Sequence, residues 1–458
     1  MRDLILTLVL FGLMPTCYRK PFVGLAVFSW LAYMRVQDLT WGFARGMRWS
    51  YYVAIVTFAG YLVSRERKRW FVRDPRCYVM MALTVLIGIG IVLSKQPNLK
   101  QLDRYLEYGK IVGVALFTTT IVSTKERLRV LLWIIALSFG FFGIKSGIAG
   151  IISGGHMKII RGPGGMLADN NDFSLALSMA VPMLFHLGWT ERRAEIRKVF
   201  FGALPLTIIT VALTRSRGGF LSVSSALGML VWRSKNRVQG ILVAVFVAVA
   251  GVLAAPADYK TRLLTILKPT EEGSANSRLK AWGIATRMAL DNPVFGVGMY
   301  KFRQHYPQYD LNFQQGEDVI VAHSSYFQIW AECGTVCLLL YFSLIFASFW
   351  TCWQVRAEAK RRYHQSWIIN YANLFEGSLV AFVVGSAFLN RAHFDLFYHW
   401  VSIIIAFALI ARREMANELE NPHSSAGGRG EIVAVEPAGF ARRPRASGYR
   451  PALPAPQG

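Results

Sequence analysis

A histidine precedes an aromatic and apolar stretch in the sequence AHSSYFQIWAECG, residues 322–334. Ser325 and Gln328 form the S-x-x-Q capping-box pattern, which predicts that a helix begins at Ser325. The partial positive charge of that helix N-terminus disfavours the imidazolium form of His323. A neutral imidazole can accept a proton, so His323 is a candidate general base. The alternative is an interfacial histidine that only caps the helix or forms a hydrogen bond. Glu332 lies about half a turn from His323 on such a helix, so we expect Glu332 to meet a basic partner on another helix.

Two arginines form the second candidate group, in the sequence LTRSRGGF at 213–220. Arg215 and Arg217 follow an apolar run that ends at Leu213. A guanidinium group offers a planar pair of donors to phosphate oxygens, and two of them beside a Gly-Gly turn could hold a pyrophosphate. The alternative is that both arginines extend from a helix end toward the membrane surface.

The third candidate group is KIIRGPGGMLADNNDFSLAL, residues 158–177. Lys158 and Arg161 precede a Gly/Pro turn. The Asp/Asn cluster at 169–172 is expected to cap the next helix. It lacks the D-x-D spacing that chelates a divalent cation, and the five cysteines are scattered without metal-ligand spacing. The sequence therefore indicates neither a metal nor another cofactor.

An amphipathic helix is predicted over SANSRLKAWGIATRMALDNP, residues 274–293, and it should end at Asn292 before a proline. Leu279, Trp282 and Leu290 share one face, so we expect the helix to lie along the membrane surface. Arg278 begins this helix. It either lies on a solvated face or reaches the same site as the other candidates.

The elements that must position these residues are membrane helices. Of the 458 residues, 53% are hydrophobic and 17% are charged, and the apolar residues occur in long blocks. This pattern predicts an all-α polytopic integral membrane protein with roughly twelve transmembrane helices. The clearest blocks are Trp49 to Val63, Tyr78 to Leu93, Val130 to Ile152, Phe173 to Trp189, Val199 to Leu213, Ile241 to Ala255 and Val336 to Trp350.

Basic residues occur mainly in short loops between these blocks, which explains the formal net charge of +24 without a nucleic-acid partner. The positive-inside rule places these loops in the cytoplasm and places residues 153–169, 214–219 and 256–322 on the opposite, periplasm-like side. Leu4 to Met14 is short for a membrane span, so the side of Met1 stays open. The predicted parts are an N-terminal transmembrane bundle at 1–255, a periplasmic loop domain at 256–322, C-terminal transmembrane helices at 323–412 and a disordered cytoplasmic tail at 413–458.

Three stretches together resemble the bacterial O-antigen ligase family and its O-antigen polymerase relatives. They are TRSRGGF, SRLKAWGIATRMALDNPVFGVGMYKF and AHSSYFQIWAECG, within roughly positions 160 to 335. The pattern H-x-x-x-x-x-x-x-x-E-x-G falls on His323, Glu332 and Gly334. Family members often have Asn directly after the histidine, where this chain has Ser324. The first hundred or so residues resemble the ligases associated with exosortase systems.

The resemblance implies a metal-independent glycosyltransferase in the inner membrane of a Gram-negative bacterium. Such an enzyme takes a glycan from undecaprenyl pyrophosphate and passes it to a sugar hydroxyl of lipid A-core at the periplasmic face. The family's histidine falls on His323 and its arginines on Arg215 and Arg217. Arg161 and Arg278 are implied as further cations at the donor pyrophosphate. Ser324 and Glu332 are implied to support the histidine.

Other activities stay open on the sequence. An O-antigen polymerase uses the same donor with a second lipid-linked glycan as acceptor, and a protein O-oligosaccharyltransferase transfers the glycan to a protein hydroxyl. A transporter or flippase would carry charged residues inside its helices along a substrate path. The candidate charges of this chain instead gather at the membrane border, which favours surface chemistry.

Overall fold

The computed structural model describes residues 1–64, 70–94, 98–234, 237–238, 240–241, 273–314, 316–362 and 366–420. The apolar block predicted at Ile241 to Ala255 and the tail after residue 420 lie almost wholly outside these ranges. Within them the chain is helical, and its only β-type pairing is an isolated antiparallel bridge between Arg161 and Asp169. The all-α prediction is confirmed for this part of the chain.

The helices of the described part follow one another along the chain with short connections. They are α1 (Arg2–Arg19), α2 (Pro21–Met34), α3 (Trp49–Val63), α4 (Pro75–Val92), α5 (Leu99–Ile121), α6 (Lys125–Ile152), α7 (Asn170–Thr190), α8 (Ala194–Leu213), α9 (Arg217–Arg233), α10 (Gly273–Asp291), α11 (Phe302–Tyr309), α12 (Ser325–Arg362), α13 (Ser366–Ser386) and α14 (Asp395–Glu420).

Seven of these helices, namely α4, α6, α7, α8, α12, α13 and α14, are long and apolar enough to cross a membrane. The helices α2 and α3 are apolar but shorter. The protein is therefore a multi-pass membrane protein. The prediction of roughly twelve spans is not confirmed by the described part of the chain, where seven helices meet the criterion. α14 continues to Glu420, so the first residues of the segment predicted as disordered are helical.

The core of the bundle surrounds α7, which packs against α6, α8, α9 and α13. Close helix contacts depend on small residues, as is usual in membrane bundles. Gly143 of α6 is an example, because a Cβ atom there would lie 2.0 Å from the hydroxyl of Thr207. Thr210 of α8 donates a hydrogen bond to the Gly143 carbonyl at 2.9 Å. These contacts hold α6 and α8 closely against each other.

One end of the bundle carries the candidate residues, and we call it the site end. There α8 ends and α7 and α9 begin, and the Ile159 N–H donates to the Leu213 carbonyl at 3.0 Å. The connection between α2 and α3 lies at the same end, since a Cβ atom on Gly165 would meet the Arg35 guanidinium. Asp3 accepts hydrogen bonds from the backbone of this connection. The first helix is thus a separate helix that starts at the site end.

Candidate functional site

α12 begins at Ser325, as the sequence predicts. The capping-box interpretation of its first turn is wrong, because both polar side chains bind the connection between α13 and α14. The Ser325 hydroxyl donates to the Leu389 carbonyl at 2.8 Å and accepts from the Arg391 N–H at 3.0 Å. The Gln328 amide oxygen accepts from the Ala392 N–H at 3.1 Å. These bonds fix the start of α12 against the 389–392 loop.

His323 lies just before this helix in a left-handed backbone conformation, with φ of +49°. Such a conformation is uncommon for a residue other than glycine and often marks a functional position. The side chain is half-buried. Burial lowers the pKa of His323, the charge of Arg278 lowers it further, and Asp169 acts in the opposite direction. His323 is therefore held neutral beside Arg278, as a general base requires.

Arg215 also has a left-handed conformation, with φ of +55°, and it forms the turn between α8 and α9. Ser216 caps α9 by accepting a hydrogen bond from the Gly219 N–H at 3.0 Å. The predicted Gly-Gly turn is wrong, because both glycines lie inside the first turn of α9. A Cβ atom on Gly219 would lie 2.3 Å from the Ser174 hydroxyl. The glycines thus allow α9 to approach α7, while Arg215 and Arg217 project at the turn and the helix start.

The Asp/Asn cluster caps α7, as predicted, through Asp169, whose side chain accepts from the Asn171 N–H at 2.8 Å. The cluster also binds the α8–α9 turn. The Asn170 amide donates to the Thr214 carbonyl at 2.9 Å, and the Ser216 hydroxyl donates to the Asn171 amide oxygen at 2.7 Å. The backbone of Arg161 pairs with Asp169. The segments that carry Arg161, Arg215 and Arg217 are consequently joined at the site end.

An ion pair that the sequence analysis missed connects this cluster to α12. The guanidinium of Arg391 donates to both carboxylate oxygens of Asp172. Burial lowers the pKa of Arg391, but the hydrogen bonds and charge of Asp172 outweigh it and raise that pKa. The only signal in the sequence was a basic residue in the short loop LNRAHFD, on the side where the positive-inside rule expects few cations.

Glu332 does not meet a basic partner, so that expectation is wrong for the described part of the chain. The buried carboxylate accepts hydrogen bonds from the Phe302 N–H and from the Gln328 side-chain amide, both at 3.2 Å. A buried carboxylate needs such donors to offset its lost hydration. Glu332 therefore holds the start of α11 against α12 rather than pairing with a cation.

The glycine of the motif breaks α12. Gly334 has φ of +87° and ψ of 175°, a conformation open essentially only to glycine. The loop after α10 enters the break, where the N–H groups of Val297 and Gly298 donate to the carbonyls of Ala331 and Glu332, each at 2.9 Å. These carbonyls would otherwise lack partners inside the helix. The break thus docks α10, which carries Arg278, onto the helix that follows His323.

α10 ends at Asp291, next to the predicted stop. It packs through Ile284, Ala285 and Met288, whereas Leu279 and Leu290 are exposed. Leu279 and Leu290 therefore point away from the protein, in the direction that contact with a membrane surface would require, but Trp282 of the same predicted face stacks on Phe327 of α12.

Two protein-family models match parts of this chain. Residues 175–342 match the family model described as O-antigen ligase. This stretch of the chain is similar to O-antigen ligases. Residues 1–191 match a family of unknown function (DUF5935). No curated protein matches the chain at a significant level.

The region similar to O-antigen ligases runs from α7 to the middle of α12. It contains Arg215, Arg217, Arg278, His323 and Glu332, while Arg161 belongs to the other matched region. The match supports a ligase- or polymerase-type function in polysaccharide assembly with lipid-linked partners. The specific likeness to exosortase-associated ligases stays a prediction.

Proposed function

We propose that this protein is a metal-independent O-antigen ligase. It transfers a glycan from undecaprenyl pyrophosphate to a sugar hydroxyl of lipid A-core, at the periplasmic face of the Gram-negative inner membrane. The observation that carries the proposal is the neutral, half-buried His323 beside Arg278. It lies in a domain that matches O-antigen ligases.

The donor already carries a good leaving group, so the reaction needs one base and several cations. The acceptor hydroxyl transfers its proton to His323 while its oxygen bonds to the anomeric carbon of the donor sugar. The bond from that carbon to the pyrophosphate oxygen breaks, and the electron pair stays on the pyrophosphate. Arg215 and Arg217 bind the developing charge, and Arg161 and Arg278 supply further positive potential. A single displacement of this kind inverts the anomeric configuration.

The supporting residues position the segments around His323. Ser324 is buried, and its carbonyl accepts the Gln328 N–H at 2.9 Å, which orders the chain between His323 and the helix. Glu332 fixes α11, and Gly334 seats the loop that follows α10. Both residues thus maintain the placement of Arg278 relative to His323.

Charge distribution supports a periplasmic site. At the opposite end of the bundle, Arg129 pairs with Glu191 at 2.5 Å and Arg233 pairs with Glu376 at 2.7 Å, beside the basic loops. Loops with dense Lys and Arg stay in the cytoplasm. The arginines of the site end run against that trend, which fits their use in binding phosphate.

The test is reconstitution of the purified protein with undecaprenyl-pyrophosphate-linked glycan and lipid A-core, with and without a chelator. We expect a larger lipopolysaccharide band on a gel that survives chelation and disappears in His323→Ala. His156→Ala is the matched control, because His156 is exposed on the loop after α6. Longer lipid-linked glycans instead of the band would indicate a polymerase, and labelled protein would indicate a protein O-oligosaccharyltransferase. Full activity of His323→Ala would refute the proposed base.

A further inference from the structure

A cavity of about 1110 Å³ lies beside the candidate site, and we call it the side cavity. Its walls are α2, α3 and α5, and its end is closed by residues 165–166, by Tyr300 and by residues 391–399. Most of the wall belongs to the region that matches a family of unknown function. Nothing in the mechanism above uses this space.

The lining changes character along the bundle axis. Charged residues lie toward the site end, where basic side chains outnumber the acidic Glu107 and Asp395. The basic lining residues are Arg35, Arg45, Arg48, Arg104, Lys110 and Arg391. Deeper in the bundle most of the lining is apolar, although Thr57 and His399 also contribute. The apolar lining residues are Leu25, Phe28, Ile55, Phe58, Leu62, Ile111, Val114 and Phe117. A lipid with an anionic headgroup and an apolar chain has the same division into a charged part and an apolar part.

The side cavity as a whole, from its charged end to its apolar end, is elongated along the bundle axis. Lining residues on α3 extend from Tyr51 to Leu62 and those on α5 from Arg104 to Phe117. At the helical rise, these ranges correspond to about 17 Å and 20 Å along the axis. Both helices pack on α2, so the space between them forms a groove with α2 as its floor. A groove of this length takes one extended hydrocarbon chain.

A buried histidine with unused hydrogen-bonding capacity marks the polar end. His393 lines the side cavity and is 8% exposed, yet neither ring nitrogen has a hydrogen-bond partner. Its ring contacts Tyr108 and Tyr300 at centroid distances of 4.9 Å and 5.7 Å. The guanidinium of Arg104 lies 5.7 Å from the Tyr300 ring. Buried polar atoms are normally paired, so His393 is an unsatisfied group at the polar end, and its ring would have to turn toward the cavity to bind an oxygen of a ligand.

The polar end is connected to the candidate site through Arg391. This residue lines the side cavity and also binds Asp172 of the α7 cluster, which in turn is joined to the turn of Arg215. A headgroup in the side cavity would therefore lie next to the site.

We propose that the side cavity binds a single-chain polyprenyl phosphate or pyrophosphate at a site separate from Arg215 and Arg217. Its phosphate lies among Arg35, Arg104 and Arg391, and its isoprenoid chain lies between α3 and α5. The identity of the lipid rests on the proposed function, whereas the site itself does not. The N-terminal region thereby acquires a role as the wall of a lipid-binding groove.

Blocking the groove tests this proposal. Gly113 lines the side cavity, and a Cβ atom there would meet nothing within 4 Å, so Gly113→Phe fills the groove without a backbone clash. Gly202 of α8 is similarly unobstructed but lies outside the lining, and Gly202→Phe is the matched control. Both changes are made in a His323→Ala background, in nanodiscs, so that binding is separated from turnover.

Binding of undecaprenyl pyrophosphate is measured by native mass spectrometry, after thermal unfolding has shown that both variants are folded. We expect Gly113→Phe to weaken binding about tenfold, equivalent to about 1.4 kcal/mol, and Gly202→Phe to leave it unchanged. Arg104→Gln should weaken binding of undecaprenyl phosphate but not of undecaprenol. Equal affinity in Gly113→Phe, or equally strong competition by phosphatidylglycerol, would overturn the proposal.

The two proposals fail in different ways. Groove-dependent binding with no glycan transfer by the wild-type protein would remove the ligase function and keep the lipid site. Transfer by the wild type, with binding insensitive to Gly113→Phe, would keep the ligase and remove the lipid site.

Discussion

Ser325 accepts a hydrogen bond from the backbone N–H of Arg391 at 3.0 Å. This bond fixes the start of α12, two residues after His323, to the loop that contains Arg391. The guanidinium of Arg391 in turn binds Asp172. The candidate base and the arginine-bearing turns are consequently parts of one hydrogen-bonded unit, although they are far apart in the sequence. Preorganisation of this kind is what a group-transfer site requires.

The pH dependence of transfer should reflect a histidine that is harder to protonate than usual. Burial, followed by the charge of Arg278, lowers the pKa of His323. A base works only when neutral, so kcat/KM should be constant near neutral pH and fall as the pH drops through a value below the ordinary histidine pKa. In Arg278→Gln the loss of positive charge stabilises imidazolium, and this acid limb should move to higher pH. Arg197→Gln, on the exposed face of α8, should not move it.

The phosphate contacts should depend on guanidinium geometry rather than on charge alone. We expect Arg215→Lys to reduce kcat/KM about tenfold or more, equivalent to about 1.4 kcal/mol of transition-state stabilisation, because an ammonium cannot form the planar paired contact. The measurement is the initial rate of glycan transfer, and Arg197→Lys is the control. Unchanged rates in Arg215→Lys would show that Arg215 does not bind the pyrophosphate as proposed.

The Arg391–Asp172 pair should stabilise the fold as a unit. The Asp172 side chain is 4% exposed, so Arg391→Gln leaves a buried carboxylate without its partner, at a cost of about 3 kcal/mol. The free energy of unfolding, from denaturant titration in mixed micelles, checks this value. In the double variant Asp172→Asn/Arg391→Gln the losses should not add, because the first change already removes the interaction. Simple additivity would mean that the two side chains do not interact in solution.

The break in α12 should tolerate only glycine. Gly334→Ala places a Cβ atom 2.2 Å from the Val294 carbonyl oxygen and in a backbone region closed to alanine. We expect a loss of about 1–3 kcal/mol in unfolding free energy, together with loss of transfer as α10 shifts. Gly202→Ala is the control, since a Cβ atom there has open space. Similar stability of the two variants would contradict the role of the break.

Local features of this protein were readable in the sequence. The cap at Asp169 and the end of α10 beside Asn292 each depend on a few neighbouring residues whose side-chain chemistry determines the backbone. The start of α12 at Ser325 was also placed correctly, but its polar side chains bind the distant 389–392 loop and do not form the predicted local cap. The helix content could also be predicted, because an apolar block is a property of consecutive residues. These are short-range effects, and a single sequence contains the information they need.

The partners of the candidate residues were not readable in the same way. Asp172 and Arg391 are separated by 219 positions, and no local pattern relates them. Glu332 was expected to bind a cation, but it binds a backbone N–H that approaches only after α11 has packed. Gly219 was interpreted as part of a turn, and its small size instead serves contact with α7. Each error concerns tertiary packing, which local propensity does not determine.

The loop seated at Gly334 restricts how substrates can arrive. Its N–H groups satisfy the carbonyls of the buried residues Ala331 and Glu332, and lifting it would leave those carbonyls unpaired inside the protein, which is costly. Residues 292–298 therefore behave as a fixed wall and not as a lid. For the ligase proposed above, substrates must then reach His323 around this wall and not by displacing it, so access depends on the neighbouring helices.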